Sequence, residues 1–223
     1  MRTSRLEAFS DGVLAIIITI MVLELREPEG RTFAALWHTT GTSLLSYLLS
    51  FVYLGIYWTN HHHMFQLTAR VTGAILWANL ALLFFLSLLP FTTDWTDQSG
   101  YARTPVFVYG LNLLVAGIAY WILQSVIIRS QGAGSALRKA VGRDYKGKLS
   151  PAGYIVGCVA ALFGGGTGPG RPGIWIAVGC YVAVAALWVV PDRRIESVIT
   201  AGAEPGSEPG PEPGPDADRA GPG

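Results

Sequence analysis

The chain has 223 residues, of which 51% are hydrophobic and only 14% charged, against about 25% charged in an ordinary soluble domain. Mean hydropathy is +0.40 even though the C-terminal stretch is polar and rich in Pro and Gly, which excludes a disordered chain and argues against a water-soluble globule. A net charge of +1 offers no basic surplus for nucleic acid, and the two cysteines, Cys158 and Cys180, lie in apolar stretches that exclude a disulfide scaffold or a cysteine metal cluster.

A bilayer core of about 30 Å takes roughly 17–25 apolar residues in a helix, and six segments meet that requirement: residues 8–25, 43–61, 72–90, 105–128, 151–166 and 173–190. The fifth is short and glycine-rich. The first is not a cleaved signal peptide, because Asp11 and Glu24 bracket its apolar core and no small-residue cleavage site follows. Turn-like sequences interrupt the pattern at 27–30, from Pro90 to Pro105, and at 164–172. The expected fold is all-α: a polytopic membrane protein with six transmembrane helices over residues 1–192. The run at 193–223, built on Glu-Pro-Gly and Gly-Pro units, cannot bury enough apolar surface to fold and reads as a disordered tail.

Lys and Arg set orientation. Twelve fall at the N-terminus, the second and fourth connections and the C-terminal segment, and four on the opposite side. Both termini are therefore expected in the cytoplasm, with the basic connection 129–150 against anionic headgroups. Trp95, Tyr101 and Trp175 suit an outer interfacial belt, and Trp188 an inner one.

Ionisable and polar groups inside spans are costly and face protein or water. Ser10 and Asp11 stand at the start of the first helix, where capping alone could explain them; Arg5, six residues earlier, could approach Asp11. Trp58, Asn60, His61, His62 and His63 stand at the end of the second helix and Asn79 inside the third. If these helices pack together, the set forms a buried polar network at one membrane depth. Three consecutive histidines point about 100° apart on a helix and cannot converge on one ion, so no metal or other cofactor is expected. Ile16, Ile20 and Leu23, spaced i, i+4, i+7, stack along one side of the first helix with Thr19 adjoining. For a lone helix this is ordinary packing. Copies around an axis would make it a hydrophobic constriction. The chain has no Thr-Val-Gly-Tyr-Gly filter sequence, no Arg-rich voltage sensor, no phosphate loop at 164–170 and no nucleophile elbow, so it does not read as an enzyme. Gly153 and Gly157 have the G-x-x-x-G spacing of close helix packing.

The run Arg5-Leu6-Glu7-Ala8-Phe9-Ser10-Asp11 resembles the Arg-x-x-x-Phe-Ser-Asp motif of the endosomal and lysosomal potassium channel family, specifically its bacterial branch. The continuation Ala15-Ile16-x-x-Thr19 and Leu23-Glu24-Leu25, the helix ending Trp58-Thr59-Asn60-His61-His62, Asn79 and Leu89-Pro90-Phe91 are also similar; the resemblance is good over residues 4–92. It implies a potassium channel in the plasma membrane, a homotetramer among membrane lipid, whose first helix lines a pore without a re-entrant filter loop. Ile16 matches the constricting isoleucine, Ile20 and Leu23 the next apolar layers, and Thr19 a threonine associated with selectivity. Arg5, Phe9, Ser10 and Asp11 match the motif that ties the first helix to the Trp/Asn/His group. The alternatives are a secondary cation/proton transporter, using Asp11, Glu24 and the histidines as a relay, and a membrane assembly protein without transport. No paired broken helices of the transporter kind are apparent.

Overall fold

The computed structural model describes residues 3–28, 30–132, 135, 137–138, 145–163 and 172–189. The turn expected at 164–172, apart from Pro172, and the tail at 193–223 lie outside them. No strand occurs among the described residues. The helices are α1 (Thr3–Leu23), α2 (Phe33–Gln66), α3 (Gly73–Ser87), α4 (Leu89–Gln98), α5 (Arg103–Gln131), α6 (Tyr145–Phe163) and α7 (Pro172–Val189).

Five stretches are long and apolar enough to cross a membrane: α1, α2, the run Gly73–Gln98 that joins α3 to α4, α5 and α7. The chain is a multi-pass membrane protein. In α6 the first turn carries Lys146 and Lys148, which lowers its hydropathy, so the fifth expected span does not qualify by composition within the described residues. The ends of the others differ from the sequence reading. Helix α2 starts ten residues earlier than expected, because Thr32 caps it by accepting the Ala35 N–H at 3.2 Å. Its 34 residues make it about 51 Å long at about 1.5 Å per residue, well beyond a bilayer core. Pro90 does not end a helix. It sits in the first turn of α4, where its missing N–H costs nothing, and the helix runs on to Gln98.

Successive spans alternate in direction, as contacts that group helix ends at the two sides of the molecule show. At one end Thr3 donates to the Thr68 carbonyl, Gln131 to the Leu67 carbonyl at 2.8 Å, and the Trp188 indole to Ser150 Oγ at 2.7 Å. At the other, Thr40 donates to the Arg26 carbonyl and the Tyr101 and Trp175 rings lie 5.9 Å apart. A buried serine stripe on α2 binds α2 to α4 and α5. Ser43 donates to Asp97, Ser46 pairs with the Tyr101 hydroxyl at 2.6 Å, and Ser50 pairs with Thr93 at 2.7 Å and Tyr109 at 3.0 Å.

Helices α5, α6 and α7 form a tight unit about Tyr181, whose ring packs on Gly110 and Gly157 with no room for a Cβ at either. A Cβ at Gly153 would stand 2.6 Å from Val184 Cγ2, so the G-x-x-x-G pair does seat α7. Tyr53 of α2 closes the unit by donating to the Tyr181 carbonyl at 2.6 Å. Gly110→Ala should destabilise the protein by about 1–3 kcal/mol through overpacking. Gly179→Ala, with nothing within 4 Å of the added methyl, should be neutral or slightly stabilising. Thermal melts of the two variants in detergent check this; equal midpoints would contradict it.

Candidate functional site

Helix α1 has two apolar faces with different fates. Leu6, Leu14, Ile17 and Met21 are buried, with Ser10 among them, against α2, α3 and α4. On the other side Ile16, Ile20 and Leu23 are 59%, 44% and 80% exposed, and Thr19 is exposed between them. These four form one i, i+3, i+4, i+7 stripe. The Thr19 hydroxyl donates to the Ile16 carbonyl at 2.9 Å, which uses its hydrogen and leaves the oxygen lone pairs outward. A groove beside the stripe runs from Ile16 and Ile20 past Phe91 to Glu24 and Asp94.

The buried face is anchored by a directional chain of hydrogen bonds. Ser10 Oγ donates to the Leu6 carbonyl at 2.9 Å, so it accepts from Asn79 Nδ2 at 2.9 Å. With the Asn79 amide nitrogen committed, its Oδ1 accepts from His61 Nε2 at 2.8 Å, which assigns the proton to Nε2. All three side chains are essentially inaccessible. His61 Nδ1 is left buried without a partner.

A second set closes the same end nearer the surface. The Trp58 indole donates to Asp11 Oδ1 at 3.0 Å. His62 Nδ1 meets Glu7 Oε1 at 2.6 Å, and Gln66 Nε2 meets His62 Nε2 at 2.8 Å. The His62 ring stacks on Trp58 at 6.3 Å.

Of the residues singled out in the sequence, Ser10, Asp11, Trp58, His61, His62 and Asn79 come together here. Asn60 does not reach α1: its amide donates to the Ile56 carbonyl of its own helix at 2.8 Å. Arg5 and Phe9 lie exposed on the outer side of α1. Arg5 forms no ion pair with Asp11, whose carboxylate is held by Trp58. Glu7 and Gln66 join the network and were not picked out, although Glu7 lies within the motif and one turn before Asp11. The serine stripe of α2 was also missed; the 3–4 spacing of Ser43, Ser46 and Ser50 in an apolar helix was its signal. No group of three or more His, Cys, Asp or Glu arranged to hold a metal occurs among the described residues.

A family model described as the endosomal/lysosomal potassium channel TMEM175 matches residues 5–90, the stretch that holds α1 and the whole network. A potassium channel of Chryseobacterium sp. (strain P1-3) is 50% identical over 196 residues, which is 88% of this chain and 97% of that protein. The chain belongs to the TMEM175 family. A potassium channel of Streptomyces collinus is 34% identical over 128 residues, 54% of this chain and 62% of that one. The crystal structure of a lysosomal potassium-selective channel TMEM175 homologue from Chamaesiphon minutus matches with a TM-score of 0.67 at 26% identity, over 85% of this chain and 97% of that one. The likeness to that TMEM175 homologue therefore reaches well past residue 90. The family is one of channels rather than enzymes.

Removing Asn79 leaves the His61 Nε2–H buried without an acceptor and takes from Ser10 Oγ its incoming donor. Asn79→Ala should cost about 1–3 kcal/mol, the usual penalty for a buried polar group left unpaired, and lower the thermal midpoint of the purified protein. His61→Ala and Asn79→Ala together should cost less than the sum of the two, because both break one bond. Full additivity would show that the chain does not act as a unit.

Proposed function

We propose that this chain forms a homotetrameric channel that passes potassium ions down their gradient across the cell membrane, with α1 lining the pore. The outward stripe of α1 carries this reading: its apolar side chains are uncovered in a single chain while the opposite face is held by a buried polar chain. An aliphatic stripe alone would suit lipid equally well. Thr19 within it, and the carboxylates of Glu24 and Asp94 at the far end of the adjoining groove, add polar content that a lipid-facing surface does not need. The relatives named as potassium channels and the potassium-selective structural neighbour support the choice of ion.

Four Ile16 side chains around an axis form a narrow apolar ring, which dewets when tight and conducts when widened. Ile20 and Leu23 form the next layers. Thr19, with its hydroxyl hydrogen tied to its own helix, presents an oxygen to a passing cation. Such a pore needs no re-entrant filter loop, and its selectivity is modest because no carbonyl cage replaces the hydration shell. Asp11, Ser10 and the Trp58, His61, His62 and Asn79 groups position α1 rather than bind the ion. Arg5 and Phe9, exposed on one chain, are left for contacts between copies, and Asn60 for stiffening the end of α2.

The antiparallel run of helix ends supports six crossings, with α6 returning between α5 and α7 and its two lysines at the surface. The distribution of Lys and Arg supports cytoplasmic termini at both ends. Residues 1–192 are then the channel and 193–223 an extension. Ile16→Asn, which wets the ring, should raise resting potassium flux severalfold in liposomes and weaken discrimination against sodium. Unchanged flux and selectivity would remove Ile16 from the constriction, and proton-coupled flux in the unmodified protein would favour an exchanger.

A further inference from the structure

A second cavity lies away from α1, between α2, α5 and α6, at the end of the molecule where Trp188 meets Ser150. Its volume is about 310 Å³, roughly twice the ~150 Å³ that admits a benzene molecule to an apolar cavity. The wall is mainly aromatic and aliphatic, and among the described residues no Asp, Glu, Lys or Arg lines it. Trp121 and Ile118 of α5, both exposed on the outer surface, flank it. Gly117 keeps it open: a Cβ there would stand 3.8 Å from both Tyr57 Oη and Tyr154 Cε2, so a methyl is tolerated and a longer side chain projects into the space.

Most polar groups on the wall are already bonded: Ser150 to Trp188 and the Lys146 carbonyl, the Asn60 amide to Ile56, and Tyr53 and Tyr120 to backbone carbonyls. Tyr57 is 8% exposed and lines the cavity, and its hydroxyl has no hydrogen-bond partner among the described residues. Within a span a hydroxyl left without a partner is costly, and this one is on a residue that lines the cavity. Gln124 adds an amide on the facing wall of α5. A site with an aromatic body, a hydroxyl and an amide on its wall and no charged group among the described residues suits an uncharged molecule with one polar end.

We propose that this cavity is a binding site for a small neutral amphiphile, a hydroxyl-bearing molecule with a slim apolar body that enters from the bilayer and hydrogen-bonds to Tyr57. A free alcohol and a monoacylglycerol share that chemistry.

Photolabelling with a diazirine-bearing octanol, on the full chain in phosphatidylcholine vesicles, tests the site. Adducts are expected on the segments around Tyr57, Gly117–Gln124 and Tyr154, and should be lost in Gly117→Phe. Tyr57→Phe, which removes only the hydroxyl, should weaken half-saturation about threefold to tenfold, the loss of one hydrogen bond. It also keeps the test valid if Gly117→Phe does not fold. Competition by unlabelled octanol alone identifies a free alcohol as the ligand, and competition by monoolein in the vesicle a lipid alcohol; either supports the site. Labelling spread evenly over lipid-facing residues, or unchanged in both variants, would overturn it.

Discussion

The rotation of α1 about its own axis depends on one interaction, the buried chain from His61 through Asn79 to Ser10. Lipid tails are as apolar as leucine, so hydrophobicity cannot decide which side of an apolar helix faces protein. Leu14, Ile17 and Met21 could trade places with Ile16, Ile20 and Leu23 at little cost in transfer energy. Ser10 cannot, because turning it into lipid would leave the buried Asn79 N–H without its acceptor. One interhelical hydrogen bond, with its donor and acceptor each oriented by a second bond, thus determines what the whole of the outward stripe presents. The Trp58–Asp11 and His62–Glu7 contacts lie closer to water and are individually weaker, but they hold the same helix ends in the same register.

The far side of the molecule uses the same device. Ser43, Ser46 and Ser50 lock α2 to α4 and α5 through Asp97, Tyr101, Thr93 and Tyr109. Helix α2 is therefore clamped to α1 and α3 at one end and to α4 and α5 at the other, and it is the longest rod in the fold. Around Tyr181 packing takes over from polar contacts: glycines on α5 and α6 let one large ring fill the junction of three helices.

The helical class, five of the six expected spans and the participation of Ser10, Asp11, Asn79, His61 and His62 were legible in the sequence, because polar residues in apolar runs are few and their expense in a membrane makes each one informative. Helix ends were less so. A hydropathy window sees where apolar residues stop, whereas α2 begins at a threonine cap ahead of its apolar core and α4 runs on through a polar stretch that Pro90 does not interrupt. Partner choice was the least legible. Asn60 and Asn79 are the same residue type in adjacent apolar helices, yet one bonds back to its own helix and the other bridges two. Arg5 and Glu7 are two residues apart, about 200° around the helix, and only Glu7 faces α2. Such outcomes depend on the angle at which helices meet, and no local pattern records it.

Thiol accessibility along α1 in the assembled channel tests the account most directly. In a background without Cys158 and Cys180, single cysteines at Thr19 and Leu23 on the stripe would be compared with cysteines at Ile17 and Met21 on the anchored face, using a membrane-impermeant charged thiol reagent and potassium current. The account predicts block at 19 and 23 and none at 17 and 21. Block at 17 or 21, or at none of the four, would mean that α1 is turned otherwise or does not line the pore.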